Sequence, residues 1–197
     1  MKKSVLSFCL SGLMVISTLA GCVQAQCTQT KPDSASEDSI THVVDSAKIV
    51  AYDNADQVIE KSKLIVEATK ISEEAISYSL GGGRSDNFTM SQVKIDKLIK
   101  SHPKHDLQTG DTIKILESEW IDPVAKNIVH HTEGYLKMKQ NKGYLLYLGY
   151  DEVNDHYYPL GLFLGKIPKD NSGEMVLGGT LDKRIDVVVK ELRSRQN

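Results

Sequence analysis

Apolar residues fall into three regimes along the chain. Residues 5–19 form a mostly apolar run, broken chiefly by Ser7, Ser11, Ser17 and Thr18, behind the basic front Met1-Lys2-Lys3. The run is shorter than the roughly 20 residues a membrane-spanning helix needs, and its layout is that of a signal peptide. Residues 23–42 are dominated by Gln, Thr, Ser, Asp and Glu with one proline, too polar to bury. They are expected to be a disordered tether with a reach of roughly 25 Å. From Lys48 onward apolar residues return as short stretches separated by Gly, Asn and Asp, and near the C-terminus the period becomes helical.

Taken in order, residues 48–52 predict a short strand, and Asp53 then caps a helix of about two turns carrying Ala55, Val58 and Ile59, with Asp56 favoured by the helix dipole. Leu64, Val66 and Ala68 alternate with Glu67 and Thr69, the pattern of a half-buried strand. Gly81-Gly82-Gly83-Arg84 lacks the lysine and hydroxyl residue of a nucleotide loop, and Ser85-Asp86-Asn87 continues the turn chemistry of a hairpin tip. Residues 88–100 change phase, with Phe88 and Met90 on one face and Val93, Ile95 and Ile99 on the other; a bulge near Ser91 would reconcile them. Gly110-Asp111 turns the chain into an alternating strand from Thr112 to Trp120. Tyr144-Leu145-Leu146-Tyr147-Leu148 follows the turn Asn141-Lys142-Gly143 and is apolar on both faces, so it belongs in the middle of a sheet. Residues 157–164 form its returning partner, with Pro159 at an edge or irregularity. Residues 174–177 predict a last strand, and Leu181, Ile185, Val188, Val189 and Leu192 share one helical stripe.

Short turn-separated strands with few helices predict a mainly β fold, a small antiparallel barrel with a short N-terminal and a C-terminal helix. The organisation expected is a signal peptide over 1–21, a tether over 22–42 and one globular domain over 43–197, a length that supports a single core. Without the leading segment and its two lysines the formal net charge moves from −2 to −4, which gives no footprint for nucleic acid. Of three cysteines, Cys9 falls in the leader and Cys22 at its end, so Cys27 has no partner for an internal disulfide. The fold is expected to stand without disulfide, metal or cofactor.

Candidate chemistry is sparse. His102 and His105 sit in a loop with Pro103, which disfavours helix at His102 and matches no helical metal spacing. His130 and His131 are strand neighbours pointing to opposite faces, unable to share one ion, and they are expected on strand surface. Asp151, Glu152 and Asp155 lack the alternating ligands and glycine of a calcium loop. No nucleophile elbow, metal-ligand helix, nucleotide loop or paired carboxylates is legible, so no catalytic residue is assigned and the protein is expected not to be an enzyme. Tyrosine offers an apolar face with a polar tip, and Tyr147, Tyr150, Tyr157 and Tyr158, together with Tyr144, are the expected binding surface.

Leu19-Ala20-Gly21-Cys22, a branched apolar residue and two small residues before a cysteine, resembles a bacterial lipobox. That resemblance implies cleavage before Cys22, a diacylglycerol on its sulfur, and a protein anchored to the cell membrane on the extracytoplasmic side. A second resemblance covers residues 48 to about 168. The order helix, Lys63-Leu64-Ile65-Val66-Glu67-Ala68, Gly110-Asp111-Thr112-Ile113-Lys114, Lys142-Gly143-Tyr144-Leu145-Leu146-Tyr147-Leu148, Tyr157-Tyr158-Pro159-Leu160-Gly161 is similar to that of uncharacterised bacterial lipoproteins with an OB-like, netrin-like barrel. The N-terminal cysteine framework of netrin-like domains is missing, so that family's partner-binding roles do not carry over. The function expected is a binding module of the envelope with a protein, peptide or glycan ligand; alternatives are a structural envelope component or an enzyme whose site is assembled from distant residues.

Overall fold

The computed structural model describes residues 39–170 and 175–195. The expected leader, Cys22, Cys27 and the expected tether as far as residue 38 lie outside them. In chain order the elements are β1 (Thr41–Asp45), α1 (Ala55–Lys61), β2 (Leu64–Gly81), β3 (Arg84–Lys100), β4 (Thr112–Glu117), β5 (Glu119–Ile121), β6 (Ile128–Thr132), β7 (Gly143–Asp151), β8 (His156–Pro159), β9 (Lys166–Pro168) and α2 (Lys183–Ser194). No described helix is long and apolar enough to cross a membrane.

Five strands close into a barrel in the order β2-β3-β4-β8-β7 and back to β2, with β9 added on β7. All ladders in the ring are antiparallel except the seam, where β4 and β8 run parallel at Ile115 and Tyr157. The fold is mainly β, a small OB-like barrel with two helices, as the pattern predicts. β7 is central as expected, pairing with β2, β8 and β9. Its even-numbered residues Tyr144, Leu146 and Leu148 enter the barrel interior. Leu145 and Tyr147 face outward into a second core, where Val188, Val189 and Leu192 of α2 and Ala55 and Val58 of α1 cover them. The β2–β3 hairpin turns at Gly82 and Gly83 with φ of 61° and 77°, a left-handed pair that glycine adopts at least cost.

Several expectations shift. β1 begins inside the expected tether, because His131 holds His42 and His130 holds Asp45 across 89 and 85 residues of chain; distant partners order a stretch too polar to order itself. Residues 48–52 are unpaired chain, not a strand. The cap of α1 is Asn54, which accepts from the Gln57 amide at 3.0 Å, while Gln57 reaches back to the Asp53 amide. β3 is regular at Ser91: the register with β4 runs unbroken from Thr89 to Lys94. Ser91 points inward with Val93 and Ile95, and the bulges fall elsewhere, among them Asp96 on β3 and Ile71 on β2. β4 stops at Glu117, and Ser118 redirects the chain into β5. The strand expected over 157–164 ends at Pro159; one further rung follows, from the Leu160 amide to the Tyr147 carbonyl at 3.0 Å, before Gly161 and Leu162 turn the chain at φ of 54° and 59°. β9 replaces the strand expected over 174–177, of which Val176 makes only an isolated bridge to Tyr135.

Candidate functional site

Two polar or aromatic regions stand out from the barrel, and the first is a ladder of alternating charge. Glu117 is fully buried. Its carboxylate accepts from Tyr135 Oη at 2.9 Å, from the Met138 amide at 2.7 Å, and from the Ser91 hydroxyl, with Lys70 Nζ at 3.4 Å. Lys70 also meets Glu73; Glu73 binds Lys137 at 2.7 Å; Lys137 lies 3.8 Å from Glu119. Glu119 is 3.4 Å from His131, whose Nε2 is 2.8 Å from Nδ1 of His42. At the inner end Lys166 sits 3.9 Å over the Tyr135 ring and donates to the Leu136 carbonyl. Burial pushes the Lys166 ammonium down to about 8 despite Glu117 and Glu119, and burial beside Glu117 holds the Tyr135 phenol well above its usual range. Burial works against the Glu73 carboxylate, but hydrogen bonds from Lys137 and Lys70 outweigh it and leave its pKa below the ordinary value.

This ladder was missed in the sequence, yet a signal for it exists. Lys70 continues the phase of Leu64, Val66 and Ala68, Ser91 that of Val93 and Ile95, and Glu117 that of Ile113 and Ile115. Three adjacent strands thus each carry polar side chains onto the inward face, β3 with Thr89 as well as Ser91. A cavity of about 450 Å³ opens at the outer end, lined by His42, Glu73, Glu119, His131 and Lys137, all of them held within the ladder. His131 is buried rather than on the expected strand surface, whereas His130 faces the other way.

The second region is a groove of about 580 Å³ between residues 45–50, the hairpin residues 85–88, Trp120 and Tyr158. Phe88 and Trp120 lie 6.4 Å apart between ring centres, with Tyr78 6.1 Å beyond Phe88. Trp120 stacks flat on His130 at 5.0 Å, and His130 is held by Asp45 at 2.9 Å and Asp122 at 3.7 Å. The backbone amides of Ala125 and Val124 keep the Asp122 carboxyl below its usual range. The Tyr158 ring lies over Gly149, where any β-carbon would overlap it. Leu162, another lining residue, adopts φ of 59°, a conformation costly for a bulky side chain and one that clusters at functional sites. Asp45, Lys48, Asp86 and Asn87 give the groove a polar rim.

The expected tyrosine surface divides accordingly. Tyr147 is fully buried beneath α2, its hydroxyl 3.2 Å from the Leu192 carbonyl, and Tyr144 is buried inside the barrel; neither belongs to a surface. Tyr157 is buried, its hydroxyl 2.6 Å from His105 Nδ1, and burial beside Tyr150 and Asp155 drives its pKa up to about 12. Tyr150 packs edge-on against His102 and His105, whose rings stack at 4.1 Å. Its hydroxyl donates to Asp155 at 2.5 Å, raising its pKa to about 12. Burial, then His105, lowers the pKa of His102. Asp151 caps the hairpin by accepting from the Val153 and Asn154 amides. Only Tyr158, 40% exposed, reaches the groove. Among the described residues no group of three or more His, Cys, Asp or Glu is placed to hold a metal ion.

The alternation along β7 hid this division. Where β7 is apolar on both faces it has no water side, so Tyr144 and Tyr147 are core and only Tyr150 near its end is half-buried, whereas β8 alternates between interior Tyr157 and exterior Tyr158. Phe88 and Trp120 were legible as residues but not as neighbours, because 32 positions separate them and the break at Ser118 brings them together. No protein-family model matches the chain, and no curated protein matches it in sequence.

Proposed function

We propose that the protein is a binding module of the bacterial cell envelope, anchored through lipid on Cys22 and facing the extracytoplasmic side, and that it binds a protein, peptide or glycan in the Phe88–Trp120–Tyr158 groove. One observation carries the reading: the aromatic side chains of Phe88, Trp120 and Tyr158, with Tyr135 beneath them, line an open concave surface whose rim is polar, the composition that recognises ligands by apolar contact and orients them by hydrogen bonds. The non-catalytic reading is supported by the ladder, where the charged side chains are committed to one another.

Trp120 is the chain's single tryptophan, so its fluorescence reports the groove directly. Titration with soluble peptidoglycan fragments, or with a digest of envelope proteins, should shift its emission saturably. Turnover of any of these by the purified protein would overturn the reading. The anchor has its own test, since radiolabelled palmitate should enter the wild type but not Cys22→Ser; equal labelling of both would remove the lipid assignment.

A further inference from the structure

The β2–β3 hairpin runs past the barrel. Pairing of β2 with β7 stops at Thr69, and pairing of β3 with β4 stops at Thr89. Among the described residues, the two strands from Ser72 to Phe88 pair with each other alone, and only Ile76, Tyr78, Asn87 and Phe88 there are even half-buried. The β3 edge of this arm lines the groove; the β2 edge is the opposite one.

Along that β2 edge, residues 75–81 read Ala-Ile-Ser-Tyr-Ser-Leu-Gly, without charge and without proline. Natural sheets guard long free edges with lysine, proline or a covering element. Here no described element covers the seven residues, which include the strand formers Ile76 and Tyr78. We infer that this edge pairs with the same edge of a second copy of the chain, antiparallel about a two-fold axis near Tyr78. In that register Tyr78 meets Tyr78 of the second copy and Ile76 meets its Leu80, a self-complementary contact of the kind a two-fold axis requires.

Charge selects both the partner and the direction. Glu74 lies at the barrel end of the edge, and Arg84 lies just beyond the turn at its tip. Cross-strand register sets Glu74 opposite Met90 and Tyr78 opposite Asp86, so Glu74, Tyr78, Asp86 and Arg84 share one face. Neither Glu74 nor Arg84 has an ion-pair partner among the described residues. Antiparallel pairing sets each Glu74 opposite Gly82 of the other copy, with that copy's Arg84 one strand further out on the same face and within reach of the two long side chains, and does so twice, whereas parallel pairing would set Glu74 against Glu74. The contact is one strand pair, small for a stable dimer, and anchoring both copies to one membrane would raise their effective concentration. It leaves the groove open, so it stands whether or not the groove binds a ligand.

Sedimentation of the purified full chain, from low-micromolar to millimolar concentration, should show its mass rising toward twice that of the monomer. Tyr78→Lys, which sets two ammonium groups against each other across the axis, should leave a monomer with an unchanged circular dichroism spectrum. Arg84→Glu should weaken association by about ten-fold, and adding Glu74→Lys to it should restore the wild-type constant. A monomer at every concentration would overturn the proposal. So would association insensitive to Tyr78→Lys, or a double variant no better than Arg84→Glu alone.

Discussion

Glu117 and Trp120 are three residues apart and belong to opposite kinds of surface. Around Glu117 every polar atom is answered: four donors converge on one carboxylate, and among the described residues no buried side-chain nitrogen or oxygen lacks a hydrogen-bond partner. Around Trp120 one indole face is covered by His130, and the groove beside it stays open with a polar rim. The ladder carries most of the chemistry a reader looks for in an active site, namely lysines, carboxylates, a serine, a tyrosine and histidines. Yet a network whose members satisfy one another has little left to offer a ligand. The ladder instead joins β2, β3, β4, β5, β6, β9 and, through His42, β1. Charge density marks where the fold is tied, and unspent apolar surface marks where binding is proposed.

The largest effect expected from this contrast is on stability. Glu117→Ala strands Lys70, Tyr135, Ser91 and the Met138 amide in the interior and should cost about 3–5 kcal/mol in urea unfolding, as removal of one partner from a buried ion pair does. A cost below about 1 kcal/mol, the scale of exposed pairs, would show that the ladder ties nothing.

Lys166 gives the ladder a signature in pH. Its ammonium is held to about 8 in the folded chain and titrates near 10.4 when unfolded. Between those values the unfolded chain carries the extra proton, so stability rises with pH. Lys166 by itself should contribute a gain of about 2 kcal/mol from pH 8 to 10, read as the difference between the wild-type and Lys166→Met profiles, because the raised Tyr135 and Tyr157 phenols work in the opposite direction as pH nears 10. A difference profile that stays flat over that window would place the Lys166 ammonium in a better-solvated setting than the one described.

The groove should behave in the reverse way. Tyr158→Ala should weaken ligand capture by about 1 kcal/mol or more, the scale of an interface hot spot, with little change in Tm, because the ring is exposed. Gly149→Ala should weaken capture similarly by pushing that ring aside. The smallest effect is the control. Tyr147→Phe removes one buried hydroxyl and should cost about 1 kcal/mol of stability with no change in capture; loss of capture would return Tyr147 to the site.

How much of this was legible follows from range. Alternation over 64–69, the doubly apolar 144–148 and the stripe ending at Leu192 are local patterns, and each took its expected form because one buried face decides it. Ser91 misled because an inward serine looks like a break in phase, and its reason, the Glu117 carboxylate, lies 26 residues away. The helix cap moved by one residue, from Asp53 to Asn54, since both are good caps and the Gln57 amide chooses between them. Of the four tyrosines, spacing alone cannot say that Tyr147 turns toward α2 and Tyr158 toward Trp120; that depends on which side of the barrel each strand presents.

The measurement that bears most directly on the contrast is the emission of Trp120, recorded as envelope-derived peptides and peptidoglycan fragments are titrated in and repeated in Tyr158→Ala and Tyr147→Phe. The contrast predicts a saturable shift in the wild type and in Tyr147→Phe at similar concentrations, moved to higher concentration in Tyr158→Ala by about five-fold or more. Capture of a ligand, seen by calorimetry, that leaves Trp120 silent and is lost instead in Tyr150→Ala would place the site on the His102–His105 side of the barrel and contradict it.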